Sequence, residues 1–291
     1  MAGRFAPSPS GPLHFGSLIA AVGSYLIAKS RSSKWLVRIE DIDPPREVPG
    51  ASDMILRQLE AFGLHWDGEV SYQSQHLDRY IHIIDQLKSR DLVYACNCTR
   101  KKIKSISHNG LYPNICANKH LSFAGEVAIK LRHGHGDYSF IDKIQGQCRF
   151  SPEIDQEDFT IRRKDGLIAY QLAVVVDDIE QGIDHVVRGC DLLDSTPRQL
   201  RLYEVLNSAP PDWYHLPLAI NADGNKLSKQ NHAPAIDSQQ ASRLLCRALE
   251  FLGHPIAKEL QGDSPANILK LAVNHFRLSQ IPAEQQILYL D

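Results

Sequence analysis

The sequence predicts an α/β protein built on a parallel sheet, and three observations carry that expectation. Gly3 to Ala6 leads into a Pro/Ser/Gly loop, apolar positions at helical spacing follow, and Lys34 to Ile39 is a short β-favouring run. Strand, glycine-containing loop, helix and strand make a βαβ unit, the building block of a parallel sheet. Late in the chain, His185-Val186-Val187-Arg188-Gly189 returns as a further strand ending in a turn. Between the two, residues 92 to 165 have short strands and frequent Gly, His, Asn and Asp, the texture of an insertion with a small sheet of its own.

The elements follow in order. Leu18, Val22, Tyr25, Leu26 and Lys29 keep the period of the first helix. Residues 51 to 62 read as a helix closed by Gly63. Residues 75 to 88 read as another, with Leu77, Tyr80, Ile81, Ile84 and Leu87 on one face and Ser74 as N-cap. Leu167 to Val176 is a buried-type run, strand or helix start, in which Tyr170 opens an apolar strand; Asp177-Asp178 follows. Thr196-Pro197 begins a helix. Ser238 to Leu252 reads as one more, stopped by Gly253 and Pro255, and Ser264-Pro265 supplies an N-cap and an N1 proline for the next. The expected architecture is a Rossmann-like parallel sheet in two halves, residues 1–77 and 170–234. An inserted α+β domain spans 78–169 and a short helical segment 235–291.

Bulk composition narrows the class. The chain has 291 residues, 43% of them apolar, enough for a sizeable core and roughly two domains. A net charge of −2 gives no global basic field, so a nucleic-acid partner would meet local patches. Arg100-Lys101-Lys102-Ile103-Lys104 is the densest basic run and Arg162-Arg163-Lys164 the next. The six cysteines are too sparse for a secreted disulfide framework. No signal-peptide pattern opens the chain, and no apolar stretch is long enough to cross a bilayer. A cytoplasmic monomer without membrane contact is expected.

Two segments carry the chemistry. Arg4-Phe5-Ala6-Pro7-Ser8-Pro9-Ser10-Gly11-Pro12-Leu13-His14-Phe15-Gly16-Ser17 places His14, Gly16 and Ser17 at the mouth of the first helix. A helix N-terminus carries unpaired N–H groups and about half a positive charge, so an anion fits there. The prolines stiffen the loop, and His14 can donate a hydrogen bond to a phosphate oxygen. Lys226-Leu227-Ser228-Lys229-Gln230 follows Asp223-Gly224 and offers two mobile point charges. Arg4, Glu40 and Arg188 stand at strand ends, which face the ligand crevice of an open parallel sheet. Cys96-Asn97-Cys98 and Cys116 bring three thiols together, a set that suits Zn²⁺; His108, His120 or Tyr112 could complete a tetrahedron.

The two segments together resemble the "HIGH" and "KMSKS" signatures of class I aminoacyl-tRNA synthetases of the glutamyl type. Arg188-Gly189-Cys190-Asp191-Leu192-Leu193-Asp194-Ser195-Thr196-Pro197 resembles that family's Arg-Gly to Ser-Thr-Pro signature. The resemblance implies the class I catalytic fold and activation of glutamate by ATP with Mg²⁺. It implies that His14 and Lys229 are catalytic, and that His14, Gly16, Ser17, Lys226 and Lys229 hold ATP. It further implies that Arg4, Phe5, Ala6, Pro7 and Ser8 line the glutamate site with Glu40, Tyr170 and Arg188. Arg188, Arg4 and Tyr170 would hold the γ-carboxylate and Glu40 the ammonium. The family's Cys-x-Cys to Tyr-x-x-x-Cys pattern points to Cys96, Cys98, Tyr112 and Cys116 as ligands of a structural zinc. Two positions depart from the pattern: Gln230 replaces a usual Ser, and Val174 stands where a polar residue is common.

Only residues 231–291 follow the lysine loop, too few for the helical anticodon-reading domain of full-length enzymes. The chain is therefore similar to the short glutamyl-queuosine tRNA(Asp) synthetase family. That implies tRNA-independent activation of L-glutamate and its transfer to the cyclopentenediol of queuosine in the tRNA(Asp) anticodon loop. The rival expectations are a synthetase charging tRNA(Glu) at its 3′ end, a nucleotidyltransferase, and a non-catalytic zinc-bearing RNA-binding protein.

Overall fold

Strand β1 (Ala2–Phe5) is buried at all four positions and β2 (Lys34–Ile39) is buried over its last three. Strands covered on both faces are the mark of a parallel sheet with helices on each side. In the computed structural model these two strands lie at the heart of a five-stranded, all-parallel sheet. The structure describes residues 1–107, 111–134, 136–151, 154, 157–227 and 234–289.

Helix α1 (Phe15–Ser30) connects β1 to β2 and buries ten residues. Helix α2 (Ala51–Ala61) leads to the edge strand β3 (Ser71–Tyr72), and α3 (Leu77–Ser89) to β4 (Val93–Cys96). Ser74 does not cap α3. It sits in a single 3₁₀ turn, Gln73–His76, where its N–H and hydroxyl donate to the Asp41 carboxylate at 2.8 and 2.6 Å. That carboxylate accepts both donors at once, so the cap is spent on the turn before the helix begins.

A second, antiparallel sheet joins β4 to β5 (Ala128–Leu131) and β8 (Phe159–Arg162). The short helix α4 (Arg100–Ile106) precedes β5 in the chain, and the hairpin β6 (Phe140–Asp142) and β7 (Gly146–Cys148) precedes β8. Then comes a correction. Tyr170 is the first residue of helix α5 (Tyr170–Glu180), not of a strand. A short apolar run cannot be told from a buried helix by periodicity. This one packs all round, burying Leu172 through Asp178 against α3, β8 and α6 (Thr196–Val205). A helix satisfies its own backbone in such a place.

Strands β9 (His185–Gly189) and β10 (Asp212–Leu216) complete the parallel sheet, in the order β10-β9-β1-β2-β3. The order reverses between β1 and β9, and a crevice opens beyond the carboxyl ends of those two strands. Beyond β11 (Leu218–Ile220), helices α7 (Ala241–Phe251) and α8 (Pro265–His275) pack on α1 and share its core. The chain then returns as β12 (Gln286–Leu288), parallel to β11, so this last stretch is not helical throughout. Among the described residues no helix is long and apolar enough to cross a membrane.

Candidate active site

A cavity of about 780 Å³ occupies the crevice at the β1/β9 switch point. Its walls include Arg4, Phe5, Ala6, Pro7, Ser8, His14, Gly16, Ser17, Glu40, Tyr170, Arg188 and Lys226. Residues from the two ends of the sequence thus share one concave surface. Lys229, Ser228, Gln230 and the knuckle candidate His108 lie outside the described residues.

The floor toward α1 is the N-terminus of that helix. His14 is the N-cap of α1, and its Nδ1 accepts the Ser17 amide N–H at 3.2 Å. That bond leaves the imidazole proton on Nε2, which lies 3.0 Å from Ser17 Oγ. Gly16 is required here because a Cβ would stand 2.7 Å from the Leu227 carbonyl oxygen. The two signature segments therefore touch across this glycine. Leu227 donates its N–H to Ala219 at 2.9 Å, and Lys226 is ion-paired with Asp191.

The wall toward α5 is a closed charge network. Arg4 donates from Nε and Nη2 to both Asp178 oxygens at 3.0 and 3.1 Å. Arg38 Nη1 reaches the same carboxylate at 2.8 Å, its Nη2 lies 3.6 Å from Glu40, and its Nε lies 3.7 Å from Asp177. Burial raises the Asp178 carboxyl, but Arg4 and Arg38 outweigh it and hold the group below the usual carboxylate range. Glu40 goes the other way. Burial, only partly opposed by Arg38 and Arg4, pushes it up to about 7, with Asp178 and Asp177 adding to the rise.

The wall on β9 differs. The Arg188 guanidinium is 5% exposed and donates only to neutral acceptors. These are His215 Nε2 (3.0 Å), Gln199 Oε1 (2.7 Å), Thr196 Oγ1 (2.9 Å) and the Leu192 carbonyl (3.3 Å). Among the described residues no carboxylate pairs with it. His215 in turn lies 2.7 Å from Asp142 through Nδ1, so its Nδ1–H donates to β6 while Nε2 stays an acceptor. Burial lowers the Arg188 pKa from its ordinary value.

Arg38, Asp177, Asp178, Gln199 and His215 carry this site, and sequence reasoning did not single them out as site residues. The available signals were an arginine inside an otherwise apolar strand and an acidic pair closing an apolar helix. Val174 is 1% exposed and packs in the apolar core with Leu172 and Val186.

The cysteine knuckle stands apart from the crevice. The sulfurs of Cys96, Cys98 and Cys116 all lie within 4.8 Å of one another, and no histidine among the described residues joins them. The Tyr112 hydroxyl lies 3.4 Å from Cys96 Sγ and accepts the Cys116 N–H at 3.0 Å. Lys130 Nζ sits 3.8 Å from the Tyr112 ring centroid, a cation beside a group of potential anions. Three convergent thiols and a phenol at their edge fit a tetrahedral metal.

Residues 1–250 match the family of tRNA synthetases class I (E and Q), catalytic domain. The glutamyl-Q tRNA(Asp) synthetase of Photorhabdus laumondii is 51% identical over 285 residues, which cover 98% of this chain and 89% of the relative. The synthetase of that name from Escherichia coli K12 is 51% identical over 280 residues, 96% of this chain and 90% of the relative. Among solved structures, a glutamate tRNA ligase from Elizabethkingia meningosepticum, crystallised with its amino acid, has a TM-score of 0.80 at 25% identity. The match covers 97% of this chain but 66% of that longer one. The glutamate-tRNA synthetase of Elizabethkingia anophelis, at 23% identity and a TM-score of 0.82, shares the fold. With its signature segments meeting in one crevice and near-full-length identity to these relatives, the chain belongs to the glutamyl-Q tRNA(Asp) synthetase family of class I tRNA synthetases.

Proposed function

We propose that the switch-point cavity builds glutamyl-adenylate and that Arg188 recognises the side-chain carboxylate of glutamate. The chain is an ATP-dependent, AMP-forming ligase that activates L-glutamate and transfers it to queuosine in tRNA(Asp). The observation that carries the residue assignment is the buried Arg188 guanidinium, held by four neutral acceptors. A desolvated cation without an anion is unfavourable until one arrives, and a γ-carboxylate is a bidentate partner for it.

Glu40 takes the substrate ammonium. Its Oε1 lies 3.6 Å from Arg38, too long for a hydrogen bond, so this carboxylate in the cavity wall can still accept an ammonium. Arg4 and Tyr170 shape the space between the two anchors. The α-carboxylate of glutamate then attacks the α-phosphorus of ATP and pyrophosphate leaves. His14 and Ser17, joined through Nε2 and Oγ, act on the phosphates together with the amides of the α1 N-terminus, Lys229 is assigned the same charge-stabilising role by the family pattern, and Gly16 and Lys226 border the site. Mg²⁺ bound with ATP would supply neutralisation of the phosphate charge. This is catalysis by position and fixed dipoles. Activation needs no tRNA, because every group named belongs to this chain.

Cys96, Cys98, Cys116 and Tyr112 would hold a structural zinc. The metal would pin a segment whose own apolar cluster is small, and α4, with its exposed Arg100, Lys101, Lys102 and Lys104, would meet RNA phosphates from that anchor. We divide the chain into a catalytic unit, residues 1–77 and 170–234, a zinc-bearing insertion at 78–169 and a supporting segment at 235–291. We take it to act as a cytoplasmic monomer, since cavity and knuckle are each complete within one chain.

The test has two readouts. Lys229→Ala is expected to abolish glutamate-dependent pyrophosphate exchange with the fold intact, and unchanged exchange would remove the lysine from the mechanism. Labelled glutamate given with ATP and total tRNA is expected on queuosine of tRNA(Asp). Label at a 3′ end would assign the chain to ordinary charging instead.

A further inference from the structure

The mouth of α1 and the lysine loop both border the switch-point cavity, and a third segment touches both. Beyond α8 the chain returns as β12, parallel to β11, with Leu218 opposite Gln286, Ala219 opposite Ile287 and Ile220 opposite Leu288. The Leu218 N–H donates to the Gln285 carbonyl at 2.9 Å, and the Tyr289 N–H to the Ile220 carbonyl at 2.8 Å. The other edge of β11 holds the stem of the lysine loop. Ile220 forms an antiparallel bridge with Lys226, and the Leu227 N–H donates to the Ala219 carbonyl. Leu218, Ala219, Lys226 and Leu227 all line the cavity.

The same returning segment reaches the mouth of α1. The Tyr289 ring stacks on Phe15, with centroids 4.3 Å apart and planes 25° from parallel. Phe15 is the first residue of α1, between the N-cap His14 and Gly16. Helix α7 backs the tyrosine: Phe251 meets it edge-on at 6.2 Å, and the Arg247 guanidinium lies 4.8 Å from its ring centroid. One residue is thus tied through its backbone to the strand before the lysine loop and through its ring to the helix that carries His14. Tyr289 does not itself line the cavity.

We propose that Tyr289, carried by β12, is a positioning residue for ATP: it clamps the α1 mouth to the stem of the lysine loop and so fixes the separation between the helix N-terminus and Lys226. The inference rests on the reading of the cavity as the adenylate site. Charge that grows on phosphate oxygens is stabilised best by donors already in place, and a small misplacement of such groups costs rate steeply. A stacked aromatic pair on a hydrogen-bonded strand supplies that stiffness. The glutamate anchors take their partners elsewhere. Arg188 is held by Thr196 and Gln199 of α6 and His215 of β10, and Glu40 lies beside Arg38 of β2. Loosening the clamp therefore acts on ATP and spares glutamate.

Tyr289→Ala is expected to lower kcat of glutamate-dependent pyrophosphate exchange about tenfold and raise KM for ATP about threefold, with KM for glutamate within about twofold of wild type. Tyr289→Phe keeps the stacked ring and is expected to match wild type. Phe15→Leu should show the same split, and the double variant Phe15→Leu, Tyr289→Ala should lose less than the product of the two single losses, because the pair acts as a unit. A merely structural tyrosine would lower the thermal midpoint and the active fraction, with both KM values unchanged. That result overturns the proposal. So does a glutamate KM that rises as much as the ATP KM, a Tyr289→Phe variant as impaired as Tyr289→Ala, or single losses that multiply. If Tyr289→Ala does not fold, Tyr289→Leu, which keeps apolar bulk without the stacked face, is read by the same split. Wild-type protein that exchanges no pyrophosphate would instead remove the adenylate reading, which separates the two ideas.

Discussion

The two arginine-bearing walls of the switch-point cavity solve opposite problems. On the α5 side, Arg4 and Arg38 converge on Asp178, with Glu40 and Asp177 close by, and every buried cation has a carboxylate within 4 Å. On the β9 side, Arg188 has hydrogen bonds in plenty but no anion among the described residues. On the first wall the fold supplies an anion to every buried guanidinium, and on the second it leaves Arg188 to the anion we assign to the substrate. The lesson is that burial alone does not mark a binding arginine. The informative quantity is the local charge balance, because a guanidinium already paired in a dry site has little left to offer a ligand.

Stability breaks the comparison most sharply. Asp178→Asn strands the buried Arg4 guanidinium and takes the nearest of three carboxylates from Arg38, and is expected to destabilise the protein by about 3–5 kcal/mol, read as a lowered urea midpoint. Arg188→Met should cost at most about 2 kcal/mol, since relief of an unmatched buried charge offsets the acceptors left behind. It should still lower glutamate-dependent exchange by roughly two to three orders of magnitude. Equal stability losses for the two variants would erase the distinction.

The pH dependence sharpens it next. Glu40 is held near 7, above its ordinary 4.5, so its contribution to stability is full below about 4.5 and is lost as pH rises through about 7. Asp178, held below its ordinary 3.8, works in the opposite sense: its contribution is present above that value and lost as pH falls through its lowered pKa. Only ionised Glu40 takes an ammonium. Glutamate affinity is therefore expected to rise about fivefold from pH 6 to 7 and to level off above about 8. A flat profile of glutamate KM between pH 5.5 and 8 would disqualify Glu40 as the anchor.

The smallest effect belongs to the brace behind Arg188. Asp142→Asn leaves His215 free to take the wrong tautomer, and Nε2 would no longer accept from Arg188. Glutamate KM should rise about three- to tenfold, within the cost of one charge-assisted hydrogen bond, while kcat changes less. A change in kcat alone would place Asp142 elsewhere in the reaction.

Much of this site was legible before any coordinates. The helix-mouth motif, the strand-end residues Arg4, Glu40 and Arg188 and the spaced cysteines are each local in sequence. Local pattern carries local geometry: a strand end faces the crevice wherever the sheet is parallel, and Cys-x-Cys brings two sulfurs together within a few residues. What was missed is what the chain assembles from afar. Asp178 lies 174 residues from Arg4 and Gln73 lies 104 residues from Asp177. Tyr170 was read into a strand for the same reason, since its run is apolar on every side and only the neighbours packed around it decide between helix and strand.

By itself, then, the sequence determined the βαβ beginning, the helix mouth at His14 and Gly16, the thiol cluster and the kinship with glutamyl-type synthetases. Those are properties of short segments, set by backbone preference and residue type. The tertiary structure alone decided which charges are cancelled and which are left open. Electrostatic balance in a buried site is a sum over residues from many segments, and only folding brings the terms of that sum together.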